Sequence, residues 1–204
     1  MPADPAPTGG DDVVELIVGL GNPGPRYADT RHNAGFWFVE RLAAAERLTL
    51  KAETRFHGEV ATWSRPTGDV RLLKPLTFMN ESGRSVQALA AYYRIPVEHI
   101  LVVHDELDLA PGDVRLKSGG GHGGHNGLRS TIGALNSPAF LRLRVGIGHP
   151  GAAPLVTPYV LGKPPADQAR LIEDALDGAL GLLPRLLAGE TAPVMQALNT
   201  RPAR

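Results

Sequence analysis

His32, in Thr30-Arg31-His32-Asn33, stands where a helix is expected to begin. A neutral imidazole serves as a general base near neutral pH when a partner fixes its tautomer, although a lone histidine there is most often an exposed or capping residue. A partner of the right type occurs in His104-Asp105-Glu106-Leu107-Asp108, where carboxylates end an otherwise apolar strand. Open α/β sheets place their sites beyond the carboxyl ends of strands, so acids here are informative; the alternative is a solvated turn before Pro111. Other nucleophiles are scarce. The chain has no Cys, which excludes a thiolate nucleophile, a Cys-ligated metal and a disulfide. It also lacks a G-x-S-x-G elbow, so a hydrolase built from these residues would activate water directly.

Two glycine-rich stretches are candidate ligand loops. Gly19-Leu20-Gly21-Asn22-Pro23-Gly24 satisfies G-x-G-x-x-G, the fingerprint of a dinucleotide site and so of an oxidoreductase. Its context differs, because Pro23 and Pro25 bracket the last glycine and helical pattern resumes only near Thr30. The fingerprint requires a helix opening at the glycines. The remaining readings are a plain strand-to-helix loop, or a loop shaped to present the Asn22 amide. The second stretch, Gly119–Gly127, contains His122, His125 and Asn126. Its glycines would let backbone amides approach an anion; a linker is the bland alternative, and zinc on the two histidines lacks a third ligand at suitable spacing.

Charge is balanced overall, 21 Lys and Arg against 21 Asp and Glu, but it is not evenly distributed. From Val114 to Ala166 there is no acid, while Arg115, Lys117, Arg129, Arg142, Arg144 and Lys163 are present. Such a stretch suits a phosphate-binding face, or the solvated half of a balanced surface. With aromatics at 5%, a base-stacking platform is disfavoured and phosphate contacts are expected instead.

The elements that must position these groups follow from periodicity. At 204 residues one domain is expected. Residues 1–11 read as a disordered tail, 12–190 as the domain, and 191–204 as a partly helical C-terminal tail. A buried strand is predicted at 13–18, a strongly apolar one at 99–104 and one alternating around Leu143, Val145 and Ile147 at 141–148, with further strands at 56–64, 69–74 and 114–117. Helices are predicted at 30–47, capped by Thr30; from Asn80 as N-cap to about Arg94; at 128–135; and at 166–183, ended by Pro184. Strands alternating with helices give an α/β fold, and two hairpin-like connections make its sheet mixed. No segment is long and apolar enough for a membrane span, and the first residues lack signal-peptide character, so a cytoplasmic protein is expected.

Five blocks together resemble bacterial peptidyl-tRNA hydrolases: GLGNPGPRYADTRHNAG (19–35), PLTFMNESG (75–83), HDELDLAPG (104–112), GGGHGGHNGLR (119–129) and RLRVGIGHPG (142–151). They occur in that family's order and approximate spacing. The resemblance implies a single α/β domain with a twisted mixed sheet and helices on both sides, acting as a monomer without metal or cofactor. The implied activity is hydrolysis of the ester joining a peptide to the 3′ end of tRNA, which recycles tRNA from abandoned translation. It also implies roles: His32 as general base on water, Asp105 as its orienting partner, and Asn22, like Asn80, in contact with the substrate or the developing oxyanion. Asn80, Asn126 and His125 would contact substrate, Tyr27 and Met79 would shape the cleft, and Lys117 and Arg144 would meet tRNA phosphate. The proline-bearing N-terminus and Ala152-Ala153-Pro154-Leu155 depart from the family pattern. A non-catalytic RNA-binding protein on the same scaffold is the alternative; such a descendant would be expected to lose the base or its partner, and both are present.

Overall fold

In the computed structural model, which describes residues 13–200, the sheet is organised about Leu16–Gly19 (β1), all four residues of which are buried. A Leu-Ile-Val run with no polar face fits only between two layers. Accordingly β1 pairs in parallel on both sides, with Val70–Pro75 (β4) and Ile100–Glu106 (β5). Lys51–Glu53 (β2) and Gly58–Trp63 (β3) extend the sheet antiparallel beyond β4. Beyond β5 lie Leu141–Gly146 (β7), parallel to it, and Val114–Ser118 (β6), antiparallel to β7. The order is β2-β3-β4-β1-β5-β7-β6.

Alternation along the strands divides the core in two. Ile17, Leu101 and Val103 face one layer with Ala34–Ala45 (α1), Val156–Val160 (α4), Ala166–Leu180 (α5), Leu183–Leu186 (α6) and Thr191–Asn199 (α7). Leu16, Val18, Ile100 and Val102 face the other, with Ser82–Tyr93 (α2) and Asn126–Leu135 (α3). Burying each such aliphatic side chain contributes roughly 1.5–3 kcal/mol, so the central strands form a rigid floor. This is a single-domain α/β fold, a mixed sheet with helices on both sides.

Several local expectations are corrected. The connection from β5 to β6 is not a hairpin, because β7 lies between them; the 114–118 strand comes first in the chain, and β7 enters the gap only after α3 returns the chain. Residues 54–56 form a 3-10 turn rather than the start of a strand, and β2 precedes it. The Thr30 hydroxyl does not cap a helix; it donates back to Tyr27 O at 2.8 Å. Asn80 lies inside a 3-10 turn, Met79–Glu81, ahead of α2, and Glu81 occupies the N-cap position. α5 ends at Leu180, and Pro184 opens α6 instead of terminating the longer helix. Proline suits a first helical turn, where its missing N–H costs nothing. α3 begins at Asn126, earlier than expected, because the His125 side chain accepts from Gly127 and Leu128 N–H. The predicted tail residues 1–11 and 201–204 lie outside the described residues. Thr191–Asn199 is helical and buries Val194 and Leu198.

β6 is an edge strand, and α7 meets that edge with one side chain. Asn199 Oδ1 accepts from Leu116 N–H at 3.0 Å, and its Nδ2 donates to Leu116 O at 3.1 Å.

α1 descends onto β1 and β5 backbone to backbone. A methyl group at Gly35 would meet Leu20 N and Val103 O, whereas one at Gly133 in α3 would meet open space. Gly35→Ala is therefore expected to lose about 3 kcal/mol or more of stability through overpacking. Gly133→Ala should gain about 0.5–1 kcal/mol from helix propensity alone. Urea unfolding of the two variants distinguishes a packing constraint from a general dislike of substitution; equal effects would refute it.

Candidate active site

Asp105, near the carboxyl end of β5, is only 3% exposed, and a buried carboxylate needs donors at both oxygens. His32, in the 3-10 turn Arg31–Asn33 before α1, brings Nδ1 to 2.8 Å from Asp105 Oδ2. His125, at the N-cap of α3, brings Nε2 to 2.8 Å from Asp105 Oδ1. The tautomers follow from the partners. His125 Nδ1 accepts from Gly127 N–H (3.1 Å) and Leu128 N–H (3.3 Å), so its proton is on Nε2 and points at Asp105. An ionised carboxylate only accepts, so His32 carries its proton on Nδ1 and keeps a lone pair on Nε2. That nitrogen has no partner among the described residues and is not sealed from solvent.

The electrostatics agree. Burial alone would raise the Asp105 pKa, but His32 and His125 together hold it well below the usual carboxylate range. Burial of the His32 ring opposes its charged form, yet the Asp105 charge and hydrogen bond prevail and raise its pKa above 6.5. His104, fully buried beside His125, is pushed down to about 3 by burial and by that neighbour, so it stays neutral and donates Nδ1–H to Asp105 O at 2.8 Å.

Asn22 is fixed as firmly as the histidine. Asn33 accepts from Asn22 N–H through Oδ1 (2.8 Å) and donates Nδ2–H to Asn22 O (2.9 Å). Asn22 Oδ1 accepts from Met79 N–H at 2.8 Å. With the oxygen committed, the amide has one orientation. Its Nδ2 is a donor with no partner among the described residues, on a residue 7% exposed but with that nitrogen not sealed from solvent. Met79 bridges the two halves of the site, since a methyl at Gly127 would meet its sulfur on one side and the His125 ring on another. The arrangement offers a base and a fixed amide donor, tied together by the His32–Asn33 turn.

The peptidyl-tRNA hydrolase family matches residues 16–204. The chain belongs to this family. The peptidyl-tRNA hydrolase of Pseudomonas paraeruginosa is 56% identical over 192 residues, spanning 94% of this chain and 99% of that protein. The one from Pseudomonas putida is 56% identical over the same shares. Among solved structures, peptidyl-tRNA hydrolase in complex with N-propanol is 50% identical with a TM-score of 0.90, covering 95% of this chain and 98% of its own. The enzyme from Acinetobacter baumannii is 50% identical with a TM-score of 0.89, over 93% and 96%.

Within this family frame, the remaining residues singled out by sequence fall into two places. Half-buried Tyr27 stacks edge-on with Phe78 at 6.3 Å, just before Met79. Asn80 is exposed, its side-chain amide unused by the described residues. Asn126 is exposed at the start of α3 and accepts from Arg129 Nη1 at 2.8 Å. Lys117 and Arg144 lie elsewhere, in a groove shared with Arg115, Met195 and Asn199 beside β6 and β7. The six cations are not one face. Arg129 lies on α3, and Lys163 pairs with Asp29 at 3.0 Å.

Three ligand readings are corrected. Gly19 and Gly21 serve packing, since a methyl at either would strike Gly35 O or the Phe36 ring, and no helix opens at them. The Gly119–Gly127 loop is not an amide cradle: the N–H groups opening α3 go to His125, and the Gly120 and Gly121 carbonyls take the Arg142 guanidinium. His122 Nδ1 accepts from Gly124 N–H at 3.0 Å, so it does not pair with His125 toward a metal. His32, Asp105 and His125 do bring three ligand-type atoms within 4.8 Å. Each nitrogen, however, is hydrogen-bonded to its own Asp105 oxygen, and a cation would have to displace both protons. Sequence reasoning missed the roles of Asn33, Arg142 and Glu106, although each stands in a stretch it singled out: Asn33 beside His32, Glu106 beside Asp105 and Arg142 in the acid-free segment.

Control of His32 by Asp105 is open to direct measurement. The His32 ring should titrate above 6.5 by NMR, being neutral only at higher pH. Asp105→Asn removes the charge that raises this pKa and leaves burial, which lowers it, so the midpoint should fall below 6.5. An unmoved midpoint would show that Asp105 does not control His32.

Proposed function

We propose that this chain hydrolyses the ester between a peptide and the 3′ end of tRNA, with His32 as general base on water. The observation that carries this reading is the imidazole held through Nδ1 by a buried carboxylate, its Nε2 lone pair unpartnered among the described residues, in the turn whose Asn33 clamps the Asn22 amide donor. Water gives a proton to His32 Nε2 as its oxygen bonds to the ester carbon. The carbonyl oxygen becomes an oxyanion and takes Nδ2–H from Asn22. The carbon–oxygen bond to the ribose then breaks, and the ribose oxygen recovers the proton from His32. A positioned base is worth about 10²–10⁴-fold and one oxyanion donor about 10²–10³-fold. An ester is already activated, so these contributions suffice without a covalent intermediate.

Substrate recognition belongs to the rim. Asn80 and Asn126 offer amides to the blocked N-terminal side of the aminoacyl group, where a free ammonium would meet donors at a desolvation cost. Tyr27 and Met79 shape the cleft, and His125 holds Asp105 beneath it. Lys117 and Arg144 take tRNA phosphate. What supports the last assignment is register: Arg115 stands opposite Arg144 and Lys117 opposite Arg142 across β6–β7. Like charges directly opposed destabilise a ladder, so that face favours an anion. We read the protein as a monomer, and no described helix is long and apolar enough to cross a membrane. We read the protein as cytoplasmic.

His32→Ala is expected to lose at least about 10²-fold in turnover of peptidyl-tRNA while tRNA binding persists. Near-normal turnover would remove His32 from the mechanism.

The phosphate assignment has its own signature. Lys117→Ala or Arg144→Ala should weaken binding of many tRNAs alike and flatten the salt dependence of affinity by about 0.7–0.9 for each phosphate no longer neutralised. A minimal N-blocked ester without the tRNA body should be cleaved as before. Wild-type slopes in both variants would mean these residues do not meet phosphate.

A further inference from the structure

The cationic face beside β6 and β7 carries a carboxylate, and it comes from β5. Arg115, Lys117, Arg142 and Arg144 leave the β6–β7 ladder on the same side, being register partners in two pairs. His104 is the register partner of Arg144 on β5, so Glu106, two residues on, shares that face. Glu106 Oε2 accepts from Arg144 Nε at 3.0 Å, and Oε1 accepts from Asp108 N–H at 3.1 Å. Both oxygens are thus in use, and the two side chains are only 17% and 25% exposed. With Nε engaged, the Arg144 fork is fixed, while the side chain still lines the groove shared with Lys117. The charge balance of the face registers on Arg142, whose pKa is lowered by burial and by Arg144 and partly restored by Glu106. One strand end therefore serves two purposes: Asp105 turns to the histidines, and Glu106 turns to the arginine.

We propose that Glu106 is a product-release residue: a fixed counter-charge that orients Arg144 and limits how tightly the face holds any tRNA phosphate. This rests on the reading that Lys117 and Arg144 meet phosphate. Phosphates are common to peptidyl-tRNA, aminoacyl-tRNA and the tRNA product. Binding energy drawn from them is uniform; it tightens every complex without accelerating cleavage, and it slows release of the spent tRNA. A carboxylate in contact with Arg144 opposes each incoming phosphate equally. Discrimination is thereby left to the cleft, where only the N-blocked substrate presents its amide.

Glu106→Gln keeps an oxygen for Arg144 Nε and removes the charge. Deacylated tRNA should then inhibit the variant about 5- to 10-fold more strongly, the effect of one nearby charge at a partly screened site. The multiple-turnover rate should fall relative to the single-turnover rate, because release becomes limiting. Glu106→Asp keeps the charge and should be inhibited like wild type. Inhibition by deacylated tRNA that is unchanged or weaker in Glu106→Gln would overturn the proposal. So would an equal loss of single-turnover cleavage in both variants, which would mark a merely structural role. The two readings fail separately. If Lys117→Ala and Arg144→Ala leave the salt slope intact, the phosphate site itself is wrong; if they flatten it and Glu106→Gln changes nothing, only the role of Glu106 is.

Discussion

A carboxylate taken out of water at Asp105 must be met by donors at both oxygens, and much of the molecule is arranged to supply them. The two imidazoles come from opposite layers of the sheet: His32 precedes α1 on one face, and His125 opens α3 on the other. Each is held by a helix beginning. His125 is locked by the first N–H groups of α3, so a donor end of that helix stands behind the carboxylate through one ring. Losing one of these partners would leave a buried charge half-met, a cost of several kcal/mol. Stability and protonation state are therefore governed by the same three side chains.

Asn22 shows the same logic with neutral groups. Its backbone is clamped at N–H and C=O by Asn33, and its side-chain oxygen is held by Met79 N–H. Preorganisation of this kind matters because a donor already aimed at the developing charge needs no reorganisation during reaction. The close seating of α1 on β1 and β5 through Gly35 makes it geometrically possible, by bringing the His32–Asn33 turn down to the strand ends. A side chain at that glycine would lift the base and the clamp together.

Much of this was legible in the residues, for identifiable reasons. β1 and β5 are buried on both faces, so their Leu, Ile and Val runs announce them, and β7 is announced by the alternation of Leu141, Leu143 and Val145 with arginines. β2 is Lys-Ala-Glu at an edge, exposed and without alternation, and carries no such signal. The place of β7 between β5 and β6 depends on the crossover through α3, a long-range matter that local pattern does not encode. Thr30, Asn80 and Pro184 have the right types for caps and breaks, but each is positioned a few residues from where those rules would act. In the site, His32, Asp105 and Asn22 stand out by type and context. The bond from His125 to Asp105 and the clamp from Asn33 do not, because they join residues 20 and 11 positions apart by side-chain geometry alone. The acid-free stretch was visible as a count, yet only pairing across β6–β7 shows which cations oppose one another.

The outer rim of β6 has a further meaning. A strand at the border of a sheet exposes unpaired N–H and C=O groups that can recruit a strand from another molecule. Here the amide of Asn199 offers Leu116 an acceptor and a donor in the order a neighbouring strand would. One side chain at the end of α7 thus imitates the missing eighth strand for the length of a residue, and lateral growth of the sheet is halted from within the same polypeptide.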